Sequence, residues 1–347
     1  MNNYCIYHLH SDMSNGVTNI DSVTKFQKYI DRAKETGMKA MAFSEHGSVF
    51  AWDLKKEAIE KAGMKYIHAE EFYITQTLEE KVRDNWHCVL IGRNWDGVRE
   101  LNYLASKSFN RKDNHFFYVP RITIDDLLNT SDNIIITSAC LGGPLNHAPE
   151  NIVKQLLEFM TKNKQRCFLE IQHHNVSDQK AYNLQLVQWS KEYGIPLIAG
   201  TDTHSLDEIH AEGRKILQKS KDICFGDEDG WDLSFKTYDE LCEAYRKQGA
   251  LSEEVYLTAI ENTNKMADMV EEFVLDCHTK YPKIYDDPVK TFKQKINEGY
   301  KNNEYIHQRY SKKEVLDRVQ EELAVYEKVG AIDFMLLETY IREWEKS

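Results

Sequence analysis

Residues 4–16 read YCIYHLHSDMSNG, a short apolar run that ends on two histidines two positions apart. Side chains at positions i and i+2 of a β-strand point to the same face of a sheet. His8 and His10 could therefore bind one metal ion together if this stretch is a strand. A lone histidine on a strand is more often a packed or surface residue, so it is the pairing that indicates a site.

Six further short apolar runs follow within the first 205 residues, and segments with helical periodicity separate them. The seven runs cover residues 4–10, 39–46, 65–73, 87–92, 133–140, 167–174 and 196–204. In residues 20–37, five apolar residues from Ile20 to Ala33 form one helical stripe before Gly37. Repeated β-α units predict a parallel sheet with both faces covered. Seven such units favour an α/β fold, a distorted seven-stranded (β/α)7 TIM-like barrel, over an open sheet.

Metal-binding residue types occur at the ends of these runs. In chain order they are His8, His10, Glu45, His46, Glu71, Cys140, His174, Asp202 and His204, whereas His87 opens its run. The C-terminal ends of barrel strands gather around one cavity, and imidazole, carboxylate and thiolate groups bind zinc and related transition metals. The sequence therefore predicts a polynuclear metal site at this rim, where Asp202 and His204 repeat the spacing of His8 and His10.

The composition limits the classes of protein. A chain of 347 residues with 41% hydrophobic content supports one large domain plus an appendage. The formal charge of -12 argues against a broad basic surface for nucleic acid, although bound metal can supply local positive charge. Seven scattered cysteines without a C-x-x-C pair predict neither a disulfide framework nor a zinc ribbon. Because no apolar stretch approaches ~20 residues, we expect a soluble, cytoplasmic protein without a membrane partner.

The order of these residues resembles the polymerase and histidinol phosphatase (PHP) superfamily, in the form attached to bacterial DNA polymerase III alpha subunits of the C family. The similarity extends to the blocks HCVLIGRNWDGVRELNYLAS (87–106), VPRITIDDLL (119–128), SACLGGPL (138–145) and GTDTHSLDEIHAE (200–212). The resemblance implies a barrel domain with a helical cap over residues 1–282. Residues 283–347 resemble the helical entry to the polymerase palm, before its catalytic aspartates. The resemblance therefore implies that this chain alone has no polymerase activity. It also implies a bacterial cell or a phage-infected host as the location.

The resemblance also implies which residues bind metal. They are His8, His10, His46, Glu71, His87, Cys140, Asp202 and His204. The family adds an acidic residue shortly after the first histidine pair; here Asn15 stands where Asp is usual, and Asp12 is a possible substitute as ninth ligand. Glu45 stands where Asp is usual, and we expect it to orient an imidazole rather than bind metal. His174 is expected to face the same cavity.

The function that the resemblance implies is a phosphoesterase that uses two or three divalent ions. The ligand set indicates zinc, manganese or iron rather than magnesium. In the resembling polymerases the activity is a 3′-to-5′ exonuclease, which predicts the 3′ end of single-stranded DNA as substrate. Asp202 or His204 would guide the attacking water. Arg121 would bind the substrate, with Lys107, Arg111 and Lys112 as further cationic candidates.

Two alternatives stay open at this stage. The chain could be a non-catalytic metal-binding scaffold that docks a replicative polymerase or a proofreading subunit through apolar residues of segment 311–345. It could also be a small-molecule phosphatase of the histidinol phosphate type, although the polymerase-like blocks argue against this. Trimming of a labelled DNA strand would separate the exonuclease from the scaffold.

Overall fold

The computed structural model describes residues 3–79, 82–223, 230–277 and 281–345. The chain divides into two compact units, Met1–Phe273 and Val274–Ser347. The domain boundary predicted after residue 282 lies a little beyond this division.

The first unit contains the strands and most of the helices. Its strands are β1 (Ala40–Phe43), β2 (Lys65–Thr75), β3 (Trp86–Gly92), β4 (Phe116–Phe117), β5 (Val119–Thr123), β6 (Ile134–Thr137), β7 (Cys167–Gln172) and β8 (Leu197–Gly200). Its helices are α1 (Phe26–Glu35), α2 (Trp52–Lys61), α3 (Trp95–Ser108), α4 (Ile124–Leu128), α5 (Pro144–His147), α6 (Glu150–Lys162), α7 (Ser177–Tyr193), α8 (Glu208–Ser220), α9 (Tyr238–Gln248) and α10 (Glu253–Met269). A short 3-10 helix spans Asp12–Gly16.

The strands form a curled sheet in the order β1, β2, β3, β6, β7, β8. The N-terminal segment joins its two ends, because Ile6 bridges Met41 of β1 and Leu9 bridges Thr203, just after β8. These isolated bridges replace the first predicted strand, which is not regular. The short hairpin β4–β5 is attached to the end of β2. The predicted α/β barrel-like fold with seven positions around the ring is confirmed.

One strand departs from the predicted parallel arrangement. β3 is antiparallel to both β2 and β6, whereas β6, β7 and β8 are parallel to one another. The described residues between β2 and β3 include no helix, and only antiparallel neighbours can be joined without a crossover connection. The start of β3, with His87, therefore lies at the same rim as the ends of the parallel strands.

The barrel contains an inner apolar cluster in which small and β-branched residues predominate. On β2, Ile67 and Ala69 belong to this inner cluster, and Val89 and Ile135 meet them from β3 and β6. Because strand side chains alternate between faces, Glu71 follows Ile67 and Ala69 on the inner face. The apolar interior thus leads directly to a buried carboxylate at the rim.

The segment between the N-terminal histidines and α1 differs from its predicted structure. α1 begins at Phe26 rather than at residue 20, and Ile20 has a left-handed backbone with φ of 53°. The Asn15 side chain accepts hydrogen bonds from the amides of Asp21 (2.7 Å) and Ser22 (3.2 Å) and donates to the Ser22 carbonyl (2.8 Å). This clamp holds residues 20–22 in a loop and directs Asp21 inward.

The second unit is helical. Its helices are α11 (Pro288–Lys301), α12 (Glu304–Arg309), α13 (Lys312–Val329) and α14 (Ile332–Glu345). Phe292, Ile332 and Leu336 form a small buried cluster against which Leu323 and Tyr326 pack. Throughout the described ranges, no helix has both the length and the apolar character needed to cross a membrane.

Candidate metal centre

Three overlapping groups of metal-binding side chains lie at the rim of the barrel. They are His10–Asp21–His46–His204, His8–His10–Glu71 and His46–Glu71–His87, and within each group one ligand atom per residue lies within 4.8 Å of the others. His10, His46 and Glu71 each belong to two groups. The shared residues make this one continuous site rather than three separate ones.

Glu71 lies at the centre of the site and is fully buried. Its Oε1 is 3.1 Å from His8 Nε2 and 3.3 Å from His87 Nδ1. Its Oε2 is 2.9 Å from His46 Nδ1 and 3.4 Å from His10 Nε2. Burial alone would raise the pKa of this carboxyl, but His87, His8 and His46 outweigh burial and hold the pKa well below its usual value.

Asp202 closes the site from the opposite end of the sheet. Its Oδ1 is 3.2 Å from His8 Nε2 and 3.3 Å from His10 Nε2. β8 ends at Gly200, so the strand alternation expected for Asp202 and His204 does not apply. A left-handed backbone at Asp202, with φ of 46°, aims the carboxylate instead.

His87 and Cys140 form the outer side of the site. Cys140 Sγ lies 3.4 Å from His87 Nδ1 and 3.9 Å from Glu71 Oε1. Burial raises the pKa of the Cys140 thiol well above its usual value. His87 is the most exposed member of the three groups, with 23% of its side chain accessible, whereas His8, His10 and Glu71 are at 0%. The site therefore opens towards solvent on the His87 side.

Asp21 is a site residue that the sequence alone did not single out. Its Oδ1 is 3.3 Å from His204 Nε2 and 3.5 Å from His46 Nε2. The two residues predicted as possible ninth ligands lie elsewhere: Asp12 pairs with Lys25 at 2.5 Å, and Asn15 clamps the loop of Asp21. The acidic group is therefore supplied six residues after Asn15 rather than at that position. Because a helix was predicted from Ile20 onwards, Asp21 was not recognised as a site residue.

Glu170 on β7 is a second residue that the sequence analysis missed. Its Oε1 lies 2.6 Å from His8 Nδ1, while its Oε2 accepts from the Tyr7 hydroxyl (2.8 Å) and from Thr137 Oγ1 (2.9 Å). A carboxylate at Nδ1 places the proton there and leaves Nε2 of the imidazole free to bind metal. Gly200 leaves room for this group, since a Cβ at Gly200 would lie 2.0 Å from Glu170 Oε1.

Glu45 supports the ligands indirectly. The buried carboxylate pairs with the buried ammonium of Lys55 at 2.6 Å and accepts from Ser14 Oγ at 2.5 Å. Ser14 Oγ in turn accepts from the His46 amide at 3.1 Å and lies 3.4 Å from His10 Nδ1. Glu45 thus acts on His10 through Ser14, and the charge of the longer acid is balanced by Lys55.

Several of the candidate ligand atoms have the environment that is expected of metal-binding atoms. Five of them are buried and have no hydrogen-bond partner within the described part of the chain: His8 Nε2, His10 Nε2, His46 Nδ1, Asp21 Oδ2 and Glu71 Oε2. Buried polar atoms are nearly always satisfied, so five converging unsatisfied atoms indicate a missing partner. A set of imidazoles, carboxylates and a thiol fits divalent zinc, manganese or iron. The residues therefore fit divalent metal ions.

Two other predicted site residues lie outside these groups. His174 is fully buried and stacks on Trp231 with ring centroids 4.9 Å apart. Arg121 is also buried, with 1% of its surface accessible, and its guanidinium donates to the carbonyls of Val82 (2.7 Å) and Asn114 (2.9 Å). These hydrogen bonds connect Arg121 to the segment before β3 and to the segment before the β4–β5 hairpin, and its role in substrate binding stays a prediction.

The other cationic candidates also have partners within the protein. Lys107 Nζ pairs with Asp126 Oδ1 at 2.5 Å. The Arg111 guanidinium lies over the Phe116 ring, 3.9 Å from its centroid. As cations that bind the substrate, Lys107, Arg111 and Lys112 all stay predictions.

Residues 7–174 match the profile of the PHP domain, a stretch that contains six of the eight predicted ligands, from His8 to Cys140, and the carboxylate of Glu170. The chain contains a PHP domain. Its sequence is 32% identical over 289 residues to the DNA polymerase III subunit alpha of Borreliella burgdorferi, an alignment that covers 77% of this chain and 23% of that protein. The corresponding subunit of Aquifex aeolicus is 28% identical, over 98% of this chain and 31% of that protein. The PHP chain thus spans about a quarter to a third of the length of these curated relatives.

A solved two-domain protein of Bacteroides vulgatus, described as containing a predicted PHP-like metal-dependent phosphoesterase, is similar in structure to the PHP chain. The alignment covers 71% of this chain and 63% of that protein, with a TM-score of 0.38 and 14% sequence identity.

Proposed function

We propose that the PHP chain is a metal-dependent phosphoesterase that removes nucleotides from the 3′ end of single-stranded DNA. The observation that carries this proposal is the group of three linked ligand clusters around Glu71. Paired divalent ions of this kind stabilise the attacking and leaving oxygens of an in-line phosphoryl displacement. The similarity to replicative polymerase subunits supports DNA as the substrate.

The residues of the site would hold different parts of the metal centre. Glu71 and Asp202, whose carboxylates both lie within 3.4 Å of His8 and His10, would hold the central pair of ions. The outer side of the centre would be completed by His46, His87 and Cys140. The inner side would be formed by Asp21 and His204. His204 Nδ1 donates to the Asp202 carbonyl at 2.9 Å, which leaves Nε2 as its ligand atom.

Asp202 is the residue we propose to accept a proton from the attacking water. Burial would raise the pKa of its carboxyl, but His8 and His204 outweigh burial and keep the pKa well below its usual value. The group is therefore ionised at neutral pH. With 7% of its side chain accessible, it is also nearer to solvent than Glu71, at 0%.

Hydrolysis of two substrates tests this proposal. Purified protein with added manganese or zinc is given a 5′-labelled single-stranded oligonucleotide and, separately, bis(p-nitrophenyl) phosphate, beside a His8→Ala/His10→Ala variant. A His147→Ala/His307→Ala variant is the matched control, because both of these histidines are exposed and outside the ligand groups. We expect the wild type and the control to shorten the strand from its 3′ end and the first variant to lose at least 100-fold in rate, in the range that loss of metal-dependent water activation gives.

The same experiment distinguishes a phosphoesterase from the non-catalytic metal-binding scaffold. If neither substrate is hydrolysed while elemental analysis still finds bound metal in the wild type but not in the His8→Ala/His10→Ala variant, the centre is structural. That result would overturn the phosphoesterase proposal.

A further inference from the structure

A cavity of ≈ 590 Å³ lies beside the metal centre, between α8 and residues 231–234. Its lining begins at Ser205, directly after the ligand His204. The His204 amide donates to the Leu233 carbonyl at 2.9 Å, and the Phe235 amide donates to the Ser205 carbonyl at 2.8 Å. These backbone hydrogen bonds fix the cavity wall relative to the metal-binding loop.

The other wall of the cavity contacts the loop of Asp21. Arg214 and Gln218 on α8 both line the cavity. Arg214 Nε donates to the Asp21 carbonyl at 2.5 Å, and Gln218 Nε2 donates to the Ile20 carbonyl at 3.1 Å. The cavity is therefore attached on both sides to the half of the centre that holds Asp21 and His204.

Trp231 gives the cavity an aromatic wall. This residue lines the cavity, and its ring stacks on His174 with centroids 4.9 Å apart and planes inclined by 15°. His174 is fully buried, and neither of its ring nitrogens has a hydrogen-bond partner among the residues that the structure describes. Burial lowers the pKa of His174 to about 4, so the ring is uncharged at neutral pH. A neutral buried ring behind Trp231 holds it in place as a flat stacking surface.

The charges of the cavity are balanced. Arg214, Lys215 and Lys219 line it on one helix, while Glu208, Asp222 and Asp232 supply three carboxylates. Such a lining does not attract polyanions in general. Its volume falls in the range of pockets for small ligands, about 300–1,000 Å³. The aromatic wall lies next to a centre that would bind a phosphate group. This arrangement indicates a ligand whose phosphate-bearing unit also carries a planar ring.

We propose that this cavity binds the nucleobase next to the phosphate that is cleaved, stacked on Trp231. The inference rests on the proposed phosphoesterase function and specifies its substrate as single-stranded nucleic acid. Stacking tolerates every base, because each base has a π face. The subsite therefore recognises an unpaired terminal nucleotide without a strong preference for its sequence.

Binding measured by fluorescence anisotropy tests the subsite. The probe is a labelled oligothymidine with phosphorothioate linkages at its 3′ end to slow hydrolysis, compared with the same strand whose last three residues are abasic. We expect Trp231→Leu to weaken binding of the intact strand by about tenfold, within the range for loss of one stacked base. Trp231→Phe, which keeps an aromatic face, should stay within about threefold of wild type, and the abasic strand should bind Trp231→Leu and wild type equally. Trp95→Leu is the matched control, because Trp95 is a 43% exposed residue of α3 outside the cavity.

Equal binding of the intact strand by wild type and Trp231→Leu would overturn the subsite, as would equal wild-type binding of the intact and abasic strands. Hydrolysis of bis(p-nitrophenyl) phosphate, which has no base, is measured in parallel. Hydrolysis without base-dependent binding overturns the subsite alone. Base-dependent binding that Trp231→Leu abolishes, with no hydrolysis of either substrate, supports the subsite and refutes the phosphoesterase proposal.

Discussion

Replacement of Glu170 by Gln would test whether this residue sets the metal affinity of His8. The carboxylate accepts four hydrogen bonds, from His8 Nδ1, Gln172 Nε2, the Tyr7 hydroxyl and Thr137 Oγ1. In Glu170→Gln the amide oxygen can still accept from His8 and Gln172. The amide NH2 then faces the two hydroxyls, which can rotate to accept. The shape and the hydrogen bonds are kept, and only the negative charge is lost.

The expected magnitude follows from this difference. Loss of a carboxylate partner behind a metal-binding imidazole lowers metal affinity by roughly 10–100-fold, which is about 1.4–2.7 kcal/mol. A hydrogen bond to a charged group contributes about 1.5–3 kcal/mol and a neutral one about 0.5–1.5 kcal/mol. The metal-free variant should therefore lose only about 1–2 kcal/mol of unfolding free energy. The main effect should fall on metal binding.

Competition with a fluorescent zinc chelator measures the affinity, and urea unfolding of the metal-free protein measures the stability. Glu158→Gln is the matched control, because Glu158 is an exposed residue of α6. Gly200→Ala provides an independent perturbation, since its Cβ would lie 2.0 Å from Glu170 Oε1 and would displace the carboxylate without changing its charge. Zinc affinity of Glu170→Gln within threefold of wild type would refute the role of Glu170 and leave it as a purely structural residue.

Three further predictions concern the loop of Asp21, the hydrogen bonds that Arg121 donates to backbone carbonyls, and the buried His68. Asn15→Asp should lower rather than raise the number of metals bound, by elemental analysis, because it replaces the donor to the Ser22 carbonyl with a carboxylate; a gain of one metal would contradict this. Arg121→Lys should lower the unfolding free energy in urea by about 2–4 kcal/mol, because one ammonium cannot replace the donors to several carbonyls. The metal content should be unchanged, and loss of metal would contradict a purely structural role for Arg121. Burial lowers the pKa of His68, which contacts Tyr66 and Asn102, to about 4. The unfolded chain therefore binds the extra proton first as pH falls, and stability present above pH ~6.5 is lost down to pH ~4. The metal-free His68→Gln variant should show a pH-dependent loss smaller by up to about 3 kcal/mol over this interval, and an identical profile to wild type would refute the assignment.

Most residues of the candidate site could be predicted from the sequence, because they lie at or near the ends of strands. The spacing of His8 and His10 and the position of Glu71 at the end of an apolar run were sufficient for this. His87 could be included only through the family resemblance, since its position at the start of a run suggested the wrong end of the barrel. The antiparallel direction of β3 explains why it faces the site.

Asp21 and Glu170 were missed for different physical reasons. Asp21 lies in an apparent helical stripe, and the Asn15 side chain that interrupts the helix acts through three-dimensional contacts that periodicity does not encode. Glu170 lies inside an apolar strand, and its buried charge is understandable only once Tyr7, Thr137 and His8 surround it. For Arg121, no sequence feature separates a substrate ligand from a cation that donates to backbone carbonyls, as it does here to Val82 and Asn114.

The bridges that close the ring of strands also have a consequence for folding order. Thr201 Oγ1 donates to the His8 carbonyl at 3.3 Å across 193 residues of sequence. Closing so long a loop costs conformational entropy, and contacts of this kind form late in folding. On the ligand assignment proposed above, His8 and His10 come from one end of this loop and Asp202 and His204 from the other. Stable metal uptake would then mark the completion of folding, and chains released before the ring closes would stay metal-free.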